Sequence, residues 1–296
     1  MTSDTAIKPR RAAADAAAVP TARPAGSALW RPMPALRATA VIHVGGALAL
    51  AWRPEDWPWV AAALAANHAV LFAASLAPRS RLLGPNMVRL PAVAARRGEV
   101  AITFDDGPDP EVTPRVLDLL DARRARASFF CVGERAAAFP HLVREIVRRG
   151  HSIENHGLGH SIAFGWYGPW RLRHELETAQ QMLSEIAGTP PAFFRAPFGT
   201  RSPFLEPVLA RCGLRYVSWT RRGYDAVDRD GARVLRRLVK GLAAGDVLLL
   251  HDGVAVRERR GAATVLAVLP QLLERLAEGG LKAQSLPSAC SDVPDD

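Results

Sequence analysis

Two aspartates, Asp105 and Asp106, stand side by side in the stretch TFDDGPDP, where a short apolar run meets a Gly-Pro turn. Adjacent carboxylates at the end of a strand repel each other unless a positive charge is held nearby, and a metal ion supplies one. Asp-Gly-Pro is also ordinary turn chemistry, so the pair taken alone reads more readily as a turn cap than as a site. Further along, His156 and His160 in NHGLGH carry imidazoles at a spacing that grips one ion if the chain turns once between them. Gly157 and Gly159 make a regular helix poor there, which points to a metal-holding loop. Two histidines and one of the aspartates form a three-ligand set with an open position, as a catalytic divalent ion requires. The second aspartate, beside the ion but not bound to it, is then placed to accept a proton as general base.

The elements that must position these groups follow from periodicity. From about residue 98 short apolar runs alternate with amphipathic stretches: EVAITF, TPRVLDLLDARR, ASFFCVG, FPHLVREIVRRG, HSIENHG, RLRHELETAQQMLSEIAG, AFFRAP, FLEPVLARCG, YVSWT, ARVLRRLVKGLAAG, DVLLLH and TVLAVLPQLLERLAEGG. This alternation predicts an α/β architecture with a parallel sheet, open or closed into a barrel. Thr113-Pro114 is expected to start a helix as cap and first position, and Gly150, Gly188, Gly213 and Gly279 to close others. In such a sheet the chemistry lies beyond the carboxyl ends of the strands. Asp105-Asp106, His156 with His160, Arg195 and His251-Asp252 all fall at those ends, and Asp225 lies in the loop after YVSWT.

In this order and at these intervals, TFDDGP, the paired histidines, RAPFG and LLLH resemble the NodB-homology polysaccharide deacetylases, carbohydrate esterase family 4. The resemblance covers roughly residues 98–288. It implies a distorted (β/α) barrel and metal-dependent hydrolysis of an N-acetyl group, usually on N-acetylglucosamine in chitin, peptidoglycan or a related glycan. By position it makes Asp105 the catalytic base and Asp106, His156 and His160 the ligands of zinc, with cobalt, nickel or manganese as other candidates. Arg195 matches the arginine that pairs with the base, and His251 the acid that protonates the leaving amine. Asp225 is matched to the aspartate that raises that histidine's basicity. Pro197 and Phe198 of the RAPFG motif are matched to substrate binding, the Phe198 amide to the oxyanion, and Leu249 to the acetyl-methyl pocket.

Three departures from the family pattern stand out. Gly157 replaces a Ser or Thr after the first histidine, so a contact supporting that ligand is missing or replaced. Arg222-Gly-Tyr-Asp225-Ala226 stands where Asp-Trp is usual, removing the tryptophan wall of the acyl pocket unless Trp219 or Tyr224 substitutes. Ala196 stands where proline is common.

Ahead of this unit lie a tail rich in Ala, Pro and Arg over residues 1–35, expected to be disordered, and two apolar segments within 36–78. Residues 79–97 read as a linker and 289–296 as a C-terminal tail. The second apolar segment, residues 57–78, has about the 20 residues a spanning helix needs; the first, residues 38–52, is shorter. Trp52, Trp57 and Trp59 cluster at the connection, as in an interfacial belt. Arginines flank the pair on both sides while the connection carries Glu55 and Asp56, so the positive-inside rule favours a hairpin with both flanks cytoplasmic. Family habit points instead to a periplasmic or extracellular domain. A soluble hairpin packed on the main domain and a signal-like first segment are the rival expectations. Lone histidines outside the motifs, His43, His68, His151 and His174, are expected to be structural or surface residues.

The formal charge of +9 invites a polyanion, but lysine stands only at positions 8, 240 and 282 among 38 basic residues, and no basic run interleaves with aromatics. No nucleic-acid partner is expected. The 3 cysteines, Cys131, Cys212 and Cys290, are too widely spaced for a zinc cluster or a disulfide framework. The resemblance implies an amino-sugar glycan or a lipid-linked sugar as partner, and the hairpin implies an inner cell membrane. The activities in play are a glycan N-deacetylase, a membrane-associated de-N-acylase or deformylase of a lipid-linked sugar, and a non-catalytic glycan-binding protein on the same fold.

Overall fold

The computed structural model describes residues 32–253 and 263–291. Most of the expected N-terminal tail and the last five residues of the expected C-terminal tail lie outside these. The elements in chain order are α1 (Pro34–Trp52), α2 (Trp57–Ser75), α3 (Ala92–Arg96), β1 (Glu99–Asp105), α4 (Thr113–Ala122), β2 (Ser128–Cys131), α5 (Gly133–Ala138), α6 (Pro140–Arg148) and β3 (Ser152–Asn155). There follow α7 (Pro169–Ala187), β4 (Phe193–Phe194), α8 (Leu205–Cys212), β5 (Arg215–Tyr216), β6 (Arg221–Arg222), α9 (Gly231–Val239), β7 (Val247–His251), α10 (Thr264–Glu278), β8 (Lys282–Gln284) and α11 (Leu286–Cys290).

The strands form one curled parallel sheet in the order β5-β4-β3-β2-β1-β7-β6, with β8 paired to the start of β1. This is the distorted (β/α) barrel expected from the sequence. All seven residues of β1 are buried, as a central parallel strand covered on both faces requires. Its alternate residues serve two cores. Ile102 and Phe104 pack outward with Phe129, Leu248 and Leu250 beneath the helices. Ala101 packs inward with Phe130, Phe193, Val217 and Val247, where Ala94, Leu286 and Ala289 also sit.

Register carries the chemistry. β1 pairs with β7 so that Asp105 lies opposite His251, and with β2 so that Asp105 lies opposite Phe130. Cys131 lies opposite Asn155, and Asn155 opposite Phe194, so His156 and Arg195 emerge just beyond the same level. The alternating apolar runs are therefore what bring residues distant in sequence to one rim.

Several local expectations are corrected. Thr113 is the first residue of α4 rather than its cap, because its hydroxyl accepts from the Asp109 amide at 2.8 Å and donates to Asp252 Oδ2 at 2.6 Å. Only the first residue of YVSWT is strand, in the two-residue β5, and a further short strand, β6, follows in the expected loop. The stretch 79–97 behaves as part of the barrel: Leu83, Leu90 and Ala94 are buried, Met87 bridges to Val217 and Arg89 to Asp246. Ala289 and Cys290, read as tail, are buried in α11 because they fill the inner core.

Helices α1 and α2 form an antiparallel pair standing off the barrel. They approach closely at Gly46, where a Cβ would lie 2.8 Å from Val60 Cγ1, and Thr39 Oγ1 donates to Asn67 Oδ1 at 3.1 Å. α1 buries no residue and α2 only Ala74 and Ser75, so the expectation of a hairpin packed onto the main domain is not met. Both are long and apolar enough to cross a membrane. Helices apolar all round and uncovered by protein are otherwise unfavourable in water. His43 and His68 each contact a backbone oxygen one turn earlier in their own helix, and their rings meet edge-on at 5.2 Å.

Candidate active site

Asp105 ends β1 and is 3% exposed. Its carboxylate is held by Arg195, whose Nη1 donates to Oδ1 at 2.6 Å. Arg195 has no exposed surface. It also donates to Thr103 Oγ1 at 2.8 Å and to the Ser218 carbonyl at 3.0 Å, and its guanidinium lies 4.1 Å from the Phe130 ring centre. A planar donor fork committed this way cannot also reach a substrate; it orients the aspartate and balances its charge inside the barrel.

Asp106 adopts a left-handed backbone, φ 72°, which turns its side chain away from Asp105 toward the histidine loop. Its Oδ1 lies 3.2 Å from His156 Nε2 and 2.8 Å from His160 Nε2. One ligand atom from each of the three residues lies within 4.8 Å of the others, a group among the described residues that could hold a metal ion. The other ring nitrogen of His156, Nδ1, lies 2.8 Å from the Arg195 carbonyl. Nδ1–H therefore donates to that carbonyl and Nε2 is the nitrogen that faces the cluster, where its lone pair would be free for an ion once the proton it shares with Asp106 is displaced. Burial would push the Asp106 carboxyl up, but hydrogen bonds from His156 and His160 hold it well below the usual carboxylate range. His156 is shifted upward: burial opposes its charge, and Asp105 and Asp106 outweigh that. A nitrogen-rich set with one carboxylate and a strong pull for positive charge fits a divalent ion such as zinc.

The histidine loop is braced by residues the sequence reading did not single out. Gly157, with φ 81°, takes a conformation that disfavours a side chain, and its amide donates to Asn155 Oδ1 at 2.8 Å. The amides of Leu158 and Gly159 donate to Glu175 Oε2 at 3.1 and 3.3 Å. Around Gly157 the loop is thus held through its backbone amides, from β3 and α7. Glu175 sits on an amphipathic helix and reads in sequence as one more surface acid. Only the packing of α7 behind the loop reveals it.

His251 ends β7 and is 7% exposed. Asp225 holds it twice: Oδ1 lies 3.0 Å from His251 Nδ1, and Oδ2 accepts the His251 backbone amide at 2.8 Å. Burial lowers the basicity of the ring, but the Asp225 carboxylate, followed by Asp105 and Asp106, overrides it and lifts the pKa to about 9. With Nδ1–H on Asp225, Nε2 is the nitrogen left to deliver a proton. Next to it Asp252 is fully buried, and burial first, then the neighbouring carboxylates, raise it to about 7. Gly253 follows against the Asp106 carbonyl, where a Cβ would lie 1.8 Å from the oxygen; only glycine fits so close an approach.

These groups line one cavity of about 260 Å³ bounded by Asp105, Asp106, His156, His160, Phe198, Gly199, Trp219, Arg222, Ala226, Val227, Leu249 and His251. Leu249 and Trp219, both apolar and almost fully buried, are among the residues lining it. Tyr224 is 45% exposed and is not among the lining residues. Phe198, φ 57°, stands at the mouth with its ring 4.7 Å from that of His160. Pro197 is buried behind it, near Gly157, and does not line the cavity. Asp106, His160 and Phe198 are three non-glycine residues with left-handed backbone in a single cavity, as expected where a site dictates the chain path. His151 is elsewhere: it accepts the Ala127 amide at 3.2 Å, and burial, then Arg126, lower its pKa to about 4.

The polysaccharide deacetylase family profile matches residues 92–217. A chitooligosaccharide deacetylase of Azorhizobium caulinodans is 33% identical over 66% of this chain and 96% of its own length. A peptidoglycan-N-acetylglucosamine deacetylase of Bacillus cereus is 34% identical over 58% of this chain and 81% of its own. Among solved structures, a peptidoglycan N-acetylglucosamine deacetylase superposes with TM-score 0.63 at 26% identity, covering 71% of this chain and 95% of that one. A family 4 carbohydrate esterase from Streptomyces lividans, in complex with acetate, gives 0.57 at 31% identity over 63% and 91%. The chain belongs to the polysaccharide deacetylase family, with the NodB-type barrel of carbohydrate esterase family 4. It is accordingly a hydrolase of carbon–nitrogen bonds outside peptides.

Proposed function

We propose that this protein is a metal-dependent N-deacetylase of amino-sugar glycans, anchored to a membrane by α1 and α2. The observation that carries the reading is the convergence of a buried carboxylate, a three-residue ligand cluster and a histidine–aspartate pair on one small cavity. Asp106, His156 and His160 would hold the ion, with zinc the leading candidate. When bound, it supplies the positive charge that polarises the amide carbonyl and acidifies water.

The chain's own residues account for the rest. Asp105, aimed by Arg195, takes a proton from the attacking water. The Phe198 amide, at the cavity mouth, is placed to donate to the carbonyl oxygen as negative charge develops there. His251 enters the reaction as imidazolium and gives its Nε2 proton to the amine nitrogen as the C–N bond breaks. Amide and water thus yield a free amine and acetate. Leu249 and Trp219 offer the acetyl methyl an apolar wall. A binding-only protein has no use for a paired acid and base lining one cavity, so that alternative is not retained.

The cavity is at the small end of ligand clefts, ~300–1,000 Å³, which suits the acetamido end of one sugar. The test is acetate release by the purified full chain, loaded with each divalent metal in turn, from N-acetylglucosamine oligomers and lipid-linked N-acetylated sugars. Release dependent on an added ion supports the reading. Metal-independent release, or none with any acylated sugar, would overturn it.

A further inference from the structure

The last turn of α2 and the residues just after it are fastened to the wall of the cavity. The Arg201 amide donates to the Ser75 carbonyl at 2.9 Å, and Arg79 Nη2 donates to the Thr220 carbonyl at 2.6 Å. Gly199 packs against Pro78, so closely that a Cβ on it would lie 3.1 Å from Pro78 Cγ. Asn86 joins the two sides, donating to the Pro78 carbonyl at 2.9 Å and accepting from Ser218 Oγ at 2.9 Å. Gly199 and Trp219 line the cavity. The hairpin is therefore clamped to the catalytic rim, and wherever α2 leaves a bilayer the cavity mouth must be close by.

The rim itself has the character of a membrane interface. The stretch SIAFGWYGPW, residues 161–170, contains no charged residue. It buries Phe164 and Tyr167 but leaves Ile162, Trp166 and Trp170 80%, 76% and 82% exposed. The Trp166 ring lies 5.4 Å from that of Phe72 on α2, so the exposed rim continues the apolar surface of the hairpin. Phe198, 50% exposed, extends it to the cavity mouth. Exposed Arg79, Arg81, Arg171 and Arg173 border it, where lipid phosphates would lie. The distances agree: α1 and α2 are 19 residues each, and at about 1.5 Å per residue such a helix spans about the ~30 Å hydrocarbon core. Trp52, Trp57 and Trp59 then mark one interface, and Phe72 with Trp166 the other.

We propose that the Ile162–Trp166–Trp170 rim is a bilayer-docking surface that seats the cavity mouth on the membrane, so that the enzyme acts on amino sugars carried by membrane lipids rather than on detached glycan. The proposal rests on the reading of α1 and α2 as a membrane anchor and deepens the substrate class given above. Its test uses the full chain, with Cys212→Ser, reconstituted in liposomes. A fluorophore is placed by Val44→Cys in the hairpin, Ile162→Cys on the rim or Arg148→Cys on α6, and quenched by lipids spin-labelled at shallow or deep positions. Position 44 should respond to the deep label, and position 162 to the shallow label at least twofold more than position 148. Quenching at 162 no greater than at 148 overturns the docking, whatever position 44 reports. In the activity arm, Trp166→Asp/Trp170→Asp should lower turnover of a vesicle-borne N-acetylglucosaminyl lipid about tenfold and leave a soluble N-acetylglucosamine oligomer unaffected. Equal effects on the two substrates overturn the substrate assignment. A protein inactive on every sugar would instead sink the deacetylase reading, while quenching at 162 still decides the docking.

Discussion

Replacing Asp225 by asparagine tests the acid half of the reaction through its pH dependence. Both carboxylate oxygens of Asp225 accept hydrogen bonds, one from His251 Nδ1–H at 3.0 Å and one from the His251 amide at 2.8 Å. An asparagine has one acceptor oxygen for these two donors, and it carries no charge. The ring, lifted to about 9 against its burial, then loses the first of its raising influences and falls toward its ordinary 6.5. A general acid works only while protonated, so the alkaline limb of kcat should move down by up to about 2.5 pH units. At pH ~8 the protonated fraction drops from roughly 0.9 to roughly 0.03, a loss of about 30-fold, or ~2 kcal/mol. At pH ~5.5 both forms are almost wholly protonated, and the loss from this cause is under about 1.2-fold. The assay is acetate release from pH 5 to 10 with saturating substrate. An alkaline limb that stays in place, or a loss independent of pH, would refute the assignment of His251 as the acid tuned by Asp225.

Other substitutions separate the remaining roles. Asp105→Asn should lower turnover by about 10²–10⁴-fold with metal content intact, whereas His156→Ala should lose the ion itself, read by elemental analysis of the purified protein. Arg195→Met leaves the Asp105 carboxylate buried without its partner and should cost about 3–5 kcal/mol of stability, seen as a drop in Tm along with lost activity; an unchanged Tm would contradict the buried pair. Glu154, fully buried, is raised from 4.5 to about 7 by burial, with hydrogen bonds from Ser152, Phe193 and Ala192 opposing. Because its folded pKa is raised, its contribution to stability is fully present below pH 4.5 and is lost as pH rises through 7. Glu154→Gln keeps an acceptor for the two amides and should abolish that decline, gaining about 3 kcal/mol over wild type at pH 8 and little at pH 4, as measured by urea denaturation at the two pH values.

Much of the site was readable in the chain because its groups sit where strands end. A run such as Val-Ala-Ile-Thr-Phe can only be a buried strand, and the polar residue that ends it must face the rim. Asp105, His156, Arg195 and His251 all share that logic, and the β1–β7 register brings Asp105 level with His251. What the pattern does not carry is the support. Glu175 stabilises the histidine loop from a helix whose spacing marks it as an ordinary surface acid, and Trp219 reaches the cavity from an irregular stretch between β5 and β6. The segment 79–97 lacks strong periodicity and reads as linker; its anchoring bridges to Val217 and Asp246 are made with residues more than 100 positions away.

By itself the sequence determined a parallel α/β architecture, carboxylate and histidine candidates at its strand ends, and two apolar segments ahead of it, because periodicity, strand ends and segment length are local properties; closure toward a barrel was implied only by the family resemblance. Tertiary structure decided which partners those groups meet: Arg195 turned inward onto Asp105, Asp225 holding His251 by two oxygens, and α2 clamped beside the cavity mouth. These are contacts between segments far apart along the chain. Their geometry depends on sheet register and curvature, which no local pattern specifies.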